Sequence, residues 1–107
     1  MQPIPAENRS ERAHPRVPAN FMVRVIVNGR AIVAKAKDLS MAGLYLVNHT
    51  PARTRTLTIA IPLPNDREIV TRCDVKRDSE RGTALEFCQL DWEDLFALAR
   101  YLHPRLP

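Results

Sequence analysis

Two short stretches of the sequence carry side chains suited to holding an anion. The first, Arg9-Ser10-Glu11-Arg12-Ala13-His14-Pro15-Arg16, sets guanidinium groups at Arg9, Arg12 and Arg16. A guanidinium is a planar fork of donors that meets a phosphate, or the O6 and N7 edge of guanine, with two parallel hydrogen bonds. Pro15 stiffens the chain between the arginines and removes one competing N–H. The second stretch, Asp38-Leu39-Ser40-Met41-Ala42-Gly43, offers a carboxylate, a hydroxyl that can donate and accept, and a glycine. Each stretch has a plainer reading. Two arginines four apart occur by chance in many basic chains. Asp-x-Ser-x-x-Gly also makes a sound turn with no ligand, Asp and Ser bonding their own backbone and Gly taking positive φ.

Other chemistry is poorly supported. His14, His49 and His103 lack the spacing of metal ligands, and nothing marks Ser40 as a nucleophile despite the nearby Asp38 and histidines. We therefore expect no metal, no cofactor and no catalysis. Cys73 falls on the inward face of an alternating segment with Ile69, Thr71 and Val75. Cys88 follows Leu85 and Phe87 on the opposite face of its own segment. The two thiols should face opposite ways, Cys73 in the core and Cys88 outside, with no disulfide.

The chain of 107 residues is one domain by length, and its hydrophobic fraction of 45% is ordinary for a globular protein. No apolar run approaches a bilayer span, and Met1 to Ser10 has no apolar stretch of signal type, so a cytoplasmic location is expected. Sixteen basic against 12 acidic residues leave a net charge of +4, a mild preference for anionic partners. Lysine occurs only at Lys35, Lys37 and Lys76, and the remaining basic residues are arginines. That choice suits phosphate and guanine recognition, although a codon bias would produce it too.

The elements that must position these groups are mostly strands. Residues 1 to 18 are polar and contain Pro3, Pro5, Pro15 and Pro18, the composition of a flexible arm. Phe21 to Val27 alternates, Asn28-Gly29 is a strong two-residue hairpin signal, and Ala31 to Lys37 returns. Asp38 to Gly43 reads as a turn, and Leu44 to Val47 resumes the strand. Asn48 to Arg53 is a loop, Arg55 to Ile61 a strand and Pro62 to Asp66 a loop. Glu68 to Arg77 is a strand, Asp78 to Arg81 a turn, and Gly82 to Cys88 the sixth strand. Six short, turn-separated strands predict a mainly β fold, an antiparallel barrel or sandwich. A helix then starts at Asp91, a good N-cap, with Glu93 and Asp94 at the positive end of its dipole and Pro104 stopping it. Leu90 and Leu95 have staple spacing, and Trp92, Leu95, Leu98, Ala99 and Leu102 should pack on the barrel, Trp92 as a core anchor.

Taken together and in order, the two stretches resemble the PilZ domain family of bacterial cyclic di-GMP receptors. Arg12 and Arg16 match the family's Arg-x-x-x-Arg, and Asp38, Ser40 and Gly43 match its Asp-or-Asn-x-Ser-x-x-Gly after the second strand. Gly82-Thr83-Ala84-Leu85-Glu86-Phe87 is similar to the family's glycine-led strand, although a second glycine often found there is absent. The resemblance covers roughly residues 11 to 103. It implies a six-stranded antiparallel split barrel with a C-terminal helix, spanning residues 19–103 between an arm at 1–18 and a tail at 104–107. It also implies cyclic di-GMP as ligand, held by Arg12, Arg16, Asp38, Ser40 and Gly43. Within that site Asp38 can accept from guanine N1–H and N2–H. Arg9, Arg77 and Arg81 are further possible contacts.

Binding would be relayed to an unidentified downstream protein by ordering the arm. Two other readings compete: an adaptor on the same barrel that binds no nucleotide, and a basic barrel for single-stranded nucleic acid. The intact motif residues argue against the first. The second needs aromatic stacking platforms, whereas most of Phe21, Tyr45, Phe87, Trp92, Phe96 and Tyr101 fit core positions, so nucleic acid is not the expected partner.

Overall fold

The computed structural model describes residues 15–47 and 54–106. Six strands run through them: β1 Val17–Val27, β2 Arg30–Leu39, β3 Gly43–Val47, β4 Thr56–Leu63, β5 Arg67–Ser79 and β6 Gly82–Phe87. A helix, α1 (Trp92–Leu102), and a 3₁₀ turn, His103–Arg105, follow. All strand pairings are antiparallel, and the strands close into a barrel in the order β1-β2-β3-β6-β5-β4. The barrel is thus two three-stranded meanders, β1-β2-β3 and β4-β5-β6, sewn together along β3–β6 and β1–β4.

Local chemistry accounts for the corners. Asn28 and Gly29 both take positive φ, 52° and 75°, as a two-residue hairpin turn demands. Asn65 and Asp66 do the same between β4 and β5, at 65° and 57°. β4 runs through Pro62 to Leu63, beyond the expected end at Ile61. Pro62 lies past the last pair joining β4 to β1, Arg24↔Ala60, where a missing N–H breaks no ladder on that side.

β1 begins at Val17, not Phe21, so the barrel takes up residues the composition assigned to the arm. Pro18 and Asn20 suggest a break in the sequence, and what they mark is a bulge. The register with β2 shifts between Pro18 and Phe21, and Asn20 absorbs the irregularity at φ 53°. Val17 and its partner Leu39 are both buried, which anchors the start of the strand.

Alternation fills the interior with Val23, Val25, Leu44, Leu46, Leu57, Ile59, Ile61, Ile69, Cys73 and Leu85. Cys73 is buried and Cys88 exposed, both as free thiols, in the expected arrangement. The Asp91 carboxylate caps α1 by accepting from the Asp94 N–H at 2.8 Å. Leu98 and Leu102 press the helix onto the core, and Tyr101 meets the Phe21 ring edge-on at 6.3 Å. Pro104 ends the helix. The expected tail stays attached, since Leu106 packs against the core. No described helix is long and apolar enough to cross a membrane.

The reading of Trp92 as a core anchor is overturned: it is 75% exposed, and Phe96 is 63% exposed. At about 100° per residue, Trp92 and Phe96 sit roughly 100–140° around the helix from the line through Leu98 and Leu102. Two leucines one turn apart fix the buried stripe, and the aromatics fall outside it. Replacing Leu98 with Ala is therefore expected to cost about 2–5 kcal/mol in urea unfolding. Trp92→Ala should stay within about 0.5 kcal/mol, and comparable losses for the two would restore the core role of the tryptophan.

Candidate functional site

β2 delivers the residues that sequence reasoning assigned to a turn. Asp38 lies within the strand, and only Ser40 to Ala42 bend the chain back into β3. The β2–β3 register shifts between Ala36 and Asp38, which leaves Lys37 bulged, 5.9 Å above the Tyr45 ring. On the other side of β2, the buried Val17–Leu39 pair fixes where β1 emerges, one residue after Arg16. Arg16 and Asp38 thereby come together across 22 residues of sequence: Nη1 of Arg16 donates to Oδ1 of Asp38 at 3.0 Å. The arginine side chain is half exposed and the carboxylate mostly covered.

Ser40 is buried, and its hydrogen bonds go to its own turn. Its hydroxyl accepts from the N–H groups of Ala42 at 3.1 Å and Gly43 at 3.2 Å, and donates to the Gly43 carbonyl at 3.4 Å. Its backbone N–H also bonds the Gly43 carbonyl, at 2.9 Å. Ser40 thus acts on the site by fastening the loop. The Ala42 carbonyl accepts from the Phe87 N–H at 2.8 Å, tying the same loop to the end of β6.

The physical requirement for Gly43 also differs from the expected one. Its backbone is not among the positive-φ positions, which are held by Asn20, Asn28, Gly29, Asn65 and Asp66. A Cβ at Gly43 would instead run into the carbonyl of Leu85 on β6. The glycine lets two strands approach closely directly behind the turn.

The turn forms one wall of a cleft of about 500 Å³. Arg16 stands at it, Lys76 and Arg77 reach it from β5, and Leu90 and Leu95 contribute an apolar side from the helix end. Alternation from Ile69 through Val75 would send Arg77 into the core. A register shift between Val75 and Arg77 prevents this and leaves both Lys76 and Arg77 exposed. Lys76 pairs with Glu86 at 3.4 Å, and Arg77 enters no ion pair among the described residues. Lys76 was not singled out in the sequence, because a bulge of this kind has no signature there.

Arg81 sits in the β5–β6 turn, its N–H donating to the Ser79 hydroxyl, and does not line the cleft. Arg9 and Arg12 lie outside the described residues. Cys88 lines the cleft as an exposed thiol, and slight desolvation together with its hydrogen bond to the Asp74 carboxylate, 3.5 Å from Sγ, pushes its pKa up. A larger hollow of about 880 Å³ lies on the other side of α1, against the β4–β5 hairpin, and contains none of the motif residues.

The arrangement is a shallow cationic cleft with one apolar side and a carboxylate beside it, suited to an anion that also carries flat, polar-edged groups. A collapsed turn is the simplest way to lose it. Gly43→Ala is expected to lower stability by roughly 1–3 kcal/mol through the clash with β6, read from the urea midpoint. An unchanged midpoint would mean that β3 and β6 can separate at no cost.

The family model described as "PilZ domain" matches residues 10–103. Among solved structures, the chain is similar to the PilZ domain of CeSA from a cellulose-synthesizing bacterium, with 19% identity and a TM-score of 0.68 over 84% of this chain and 96% of that one. It is similar to the Bacillus subtilis inhibitor of motility, MotI/DgrA, with 24% identity and a TM-score of 0.73 over 89% of this chain and 50% of that one. It is also similar to the Borreliella burgdorferi PlzA protein in complex with c-di-GMP, with 16% identity and a TM-score of 0.65 over 89% of this chain and 42% of that one. The chain therefore spans half the length of the Bacillus protein and less of the Borreliella one. No match was found among curated proteins.

Proposed function

Since the chain belongs to the PilZ domain family, we propose that it is a receptor for c-di-GMP, the ligand held by the Borreliella burgdorferi PlzA protein whose fold it shares. The observation that carries this reading is the meeting of Arg16 and Asp38 beside the cleft, which unites the two halves of the motif. The ligand offers two phosphate charges and two guanines. Arg16 takes a phosphate or a guanine O6/N7 edge by a two-pronged bond, and Arg12 adds a second such fork from the preceding sequence. Asp38 accepts from guanine N1–H and N2–H. Ser40 and Gly43 hold the loop over which the ligand lies, and Arg77 contributes charge from β5.

A receptor fits these groups better than an enzyme does. The Ser40 hydroxyl is committed to the turn backbone. Calorimetric titration with c-di-GMP, cyclic di-AMP and a single-stranded oligonucleotide tests the reading. Arg16→Ala is expected to weaken c-di-GMP binding about ten- to hundredfold, equivalent to losing a charge-assisted contact of about 1.5–3 kcal/mol. Asp38→Ala should erode the preference for guanine over adenine, and Lys37→Ala should preserve it. Binding of c-di-GMP by Arg16→Ala at wild-type strength would remove the site. An oligonucleotide bound more tightly than c-di-GMP would replace the ligand.

The relay we propose is ordering of the segment that carries Arg12. Residues 1 to 16 have few apolar groups to offset a backbone ordering cost of about 1–2 kcal/mol per residue, so ligand contacts supply what the sequence lacks. A protein partner then reads the ordered segment or the surface it covers. Amide hydrogen exchange across residues 6 to 16 should slow on adding c-di-GMP. Protection already high without ligand, and unchanged with it, would leave a preformed site and no such relay.

A further inference from the structure

The outer face of α1 has its own pattern. Glu93, Phe96, Ala97 and Arg100 follow one another at i, i+3, i+4 and i+7, one stripe of a helix, with Ala97 half-buried at its edge and the other three exposed. Trp92 flanks the stripe, its ring 6.1 Å from that of Phe96. Both aromatics are exposed, at 75% and 63%. Glu93 and Arg100 enter no ion pair among the described residues, whereas their neighbour Asp94 is engaged by Arg67 at 3.5 Å. Beside the stripe lies the hollow of about 880 Å³, floored by Ala97 and Tyr101 and bounded by the β4–β5 hairpin.

This pattern is complementary to itself when reversed. We propose that α1 is an interface between two copies of this chain, packed antiparallel about a two-fold axis passing between Phe96 and Ala97. In that register Glu93 of each copy meets Arg100 of the other, and Phe96 of each meets the other's Ala97, large against small. Two-fold interfaces repeat each contact, so both unpaired charges find partners twice, and the two helix dipoles run in opposed directions. Tryptophan and arginine are among the residue types that dominate interface energies, and phenylalanine is enriched in interface cores. Each large aromatic buries roughly 150–250 Å² at most, so four of them cover no more than about 600–1,000 Å², less than the roughly 1,200 Å² of a stable interface, and the Glu93–Arg100 pairs must supply the rest. The association should accordingly be reversible on dilution. Leu95, on the neighbouring face, lines the ligand cleft, so the interface leaves the cleft open.

Sedimentation equilibrium of the full chain over a dilution series is the test. The wild type is expected to have twice the chain mass at high micromolar concentration and to dissociate as it is diluted. Glu93→Arg alone and Arg100→Glu alone should each be monomeric, because each sets like charges against each other. Mixed in equal amounts they should recover the dimer mass, and the double variant Glu93→Arg/Arg100→Glu should associate as the wild type does. Phe96→Asp should be monomeric with an unchanged circular-dichroism melt, which separates loss of association from loss of folding. A wild type that is monomeric throughout overturns the proposal. So does a dimer that survives Phe96→Asp, and so does a mixture of the two charge variants that stays monomeric.

Discussion

The ladder between β3 and β6 is the constraint on which the cleft depends. It joins the two meanders, and a glycine stands at each end of it: Gly43 opposite Glu86, and Gly82 opposite Val47. A Cβ at Gly43 would strike the Leu85 carbonyl. One at Gly82 would strike the Leu46 carbonyl and the Tyr45 ring. Each glycine removes a steric barrier to close approach, and in doing so sets how near β3 lies to β6. The Ser40–Ala42 loop leaves the ladder at its Gly43 end and is tied to β6 again through the Phe87 N–H and the Ala42 carbonyl. The position of the cleft wall thus follows from strand packing. The loop itself adds the Ser40 hydrogen bonds that stop it from opening.

On this frame the Arg16–Asp38 pair is weakly held. The two groups are 3.0 Å apart, but the arginine is half exposed. A pair so placed contributes about 0–1 kcal/mol, since solvent screens it and two side chains must be held still. That is little beside what a guanidinium gains from a doubly charged ligand. The carboxylate holds Arg16 at the cleft at small cost, and under the proposed function it would release the guanidinium to the ligand. Lys76, paired with Glu86 over 3.4 Å, is held in the same loose manner on the opposite wall. Arg77 has no such partner among the described residues.

Much of this was legible in the sequence, for reasons that mark where legibility ends. Alternation of apolar residues gave the strands and put Cys73 inside and Cys88 outside, because period-two patterning survives wherever one face is buried. Asn28-Gly29 announced its turn, since few other pairs accept positive φ twice. The bulges were not legible. Those at Asn20, Lys37 and Lys76 each shift a register by one residue, and so decide where Arg16, Asp38 and Arg77 point. A bulge depends on the partner strand and leaves little trace in its own. For the same reason Gly43 was expected to serve a turn, when the decisive neighbour is Leu85, far away in sequence. Trp92 was misplaced because hydrophobicity alone does not tell a residue buried by its own chain from one left exposed on its surface.

That misplacement bears on how the molecule is organised. A tryptophan and a phenylalanine left in water on a chain of this size are costly unless something covers them, since large exposed apolar surface favours association. Their location is specific as well: they lie on a helix whose residues divide among three faces. Leu95 lines the cleft, Phe96 the outer surface, and Leu98 the core. The helix is rigid over this span, so the three faces cannot shift independently. Under the proposed function, a ligand that drew on Leu90 and Leu95 would act on the same rod whose far side carries the aromatic stripe. With two copies packed through that stripe, the two clefts would sit at a fixed relative orientation. Whatever reads one cleft would then meet a second at a set distance, and a small PilZ domain would present a surface of two sites rather than one.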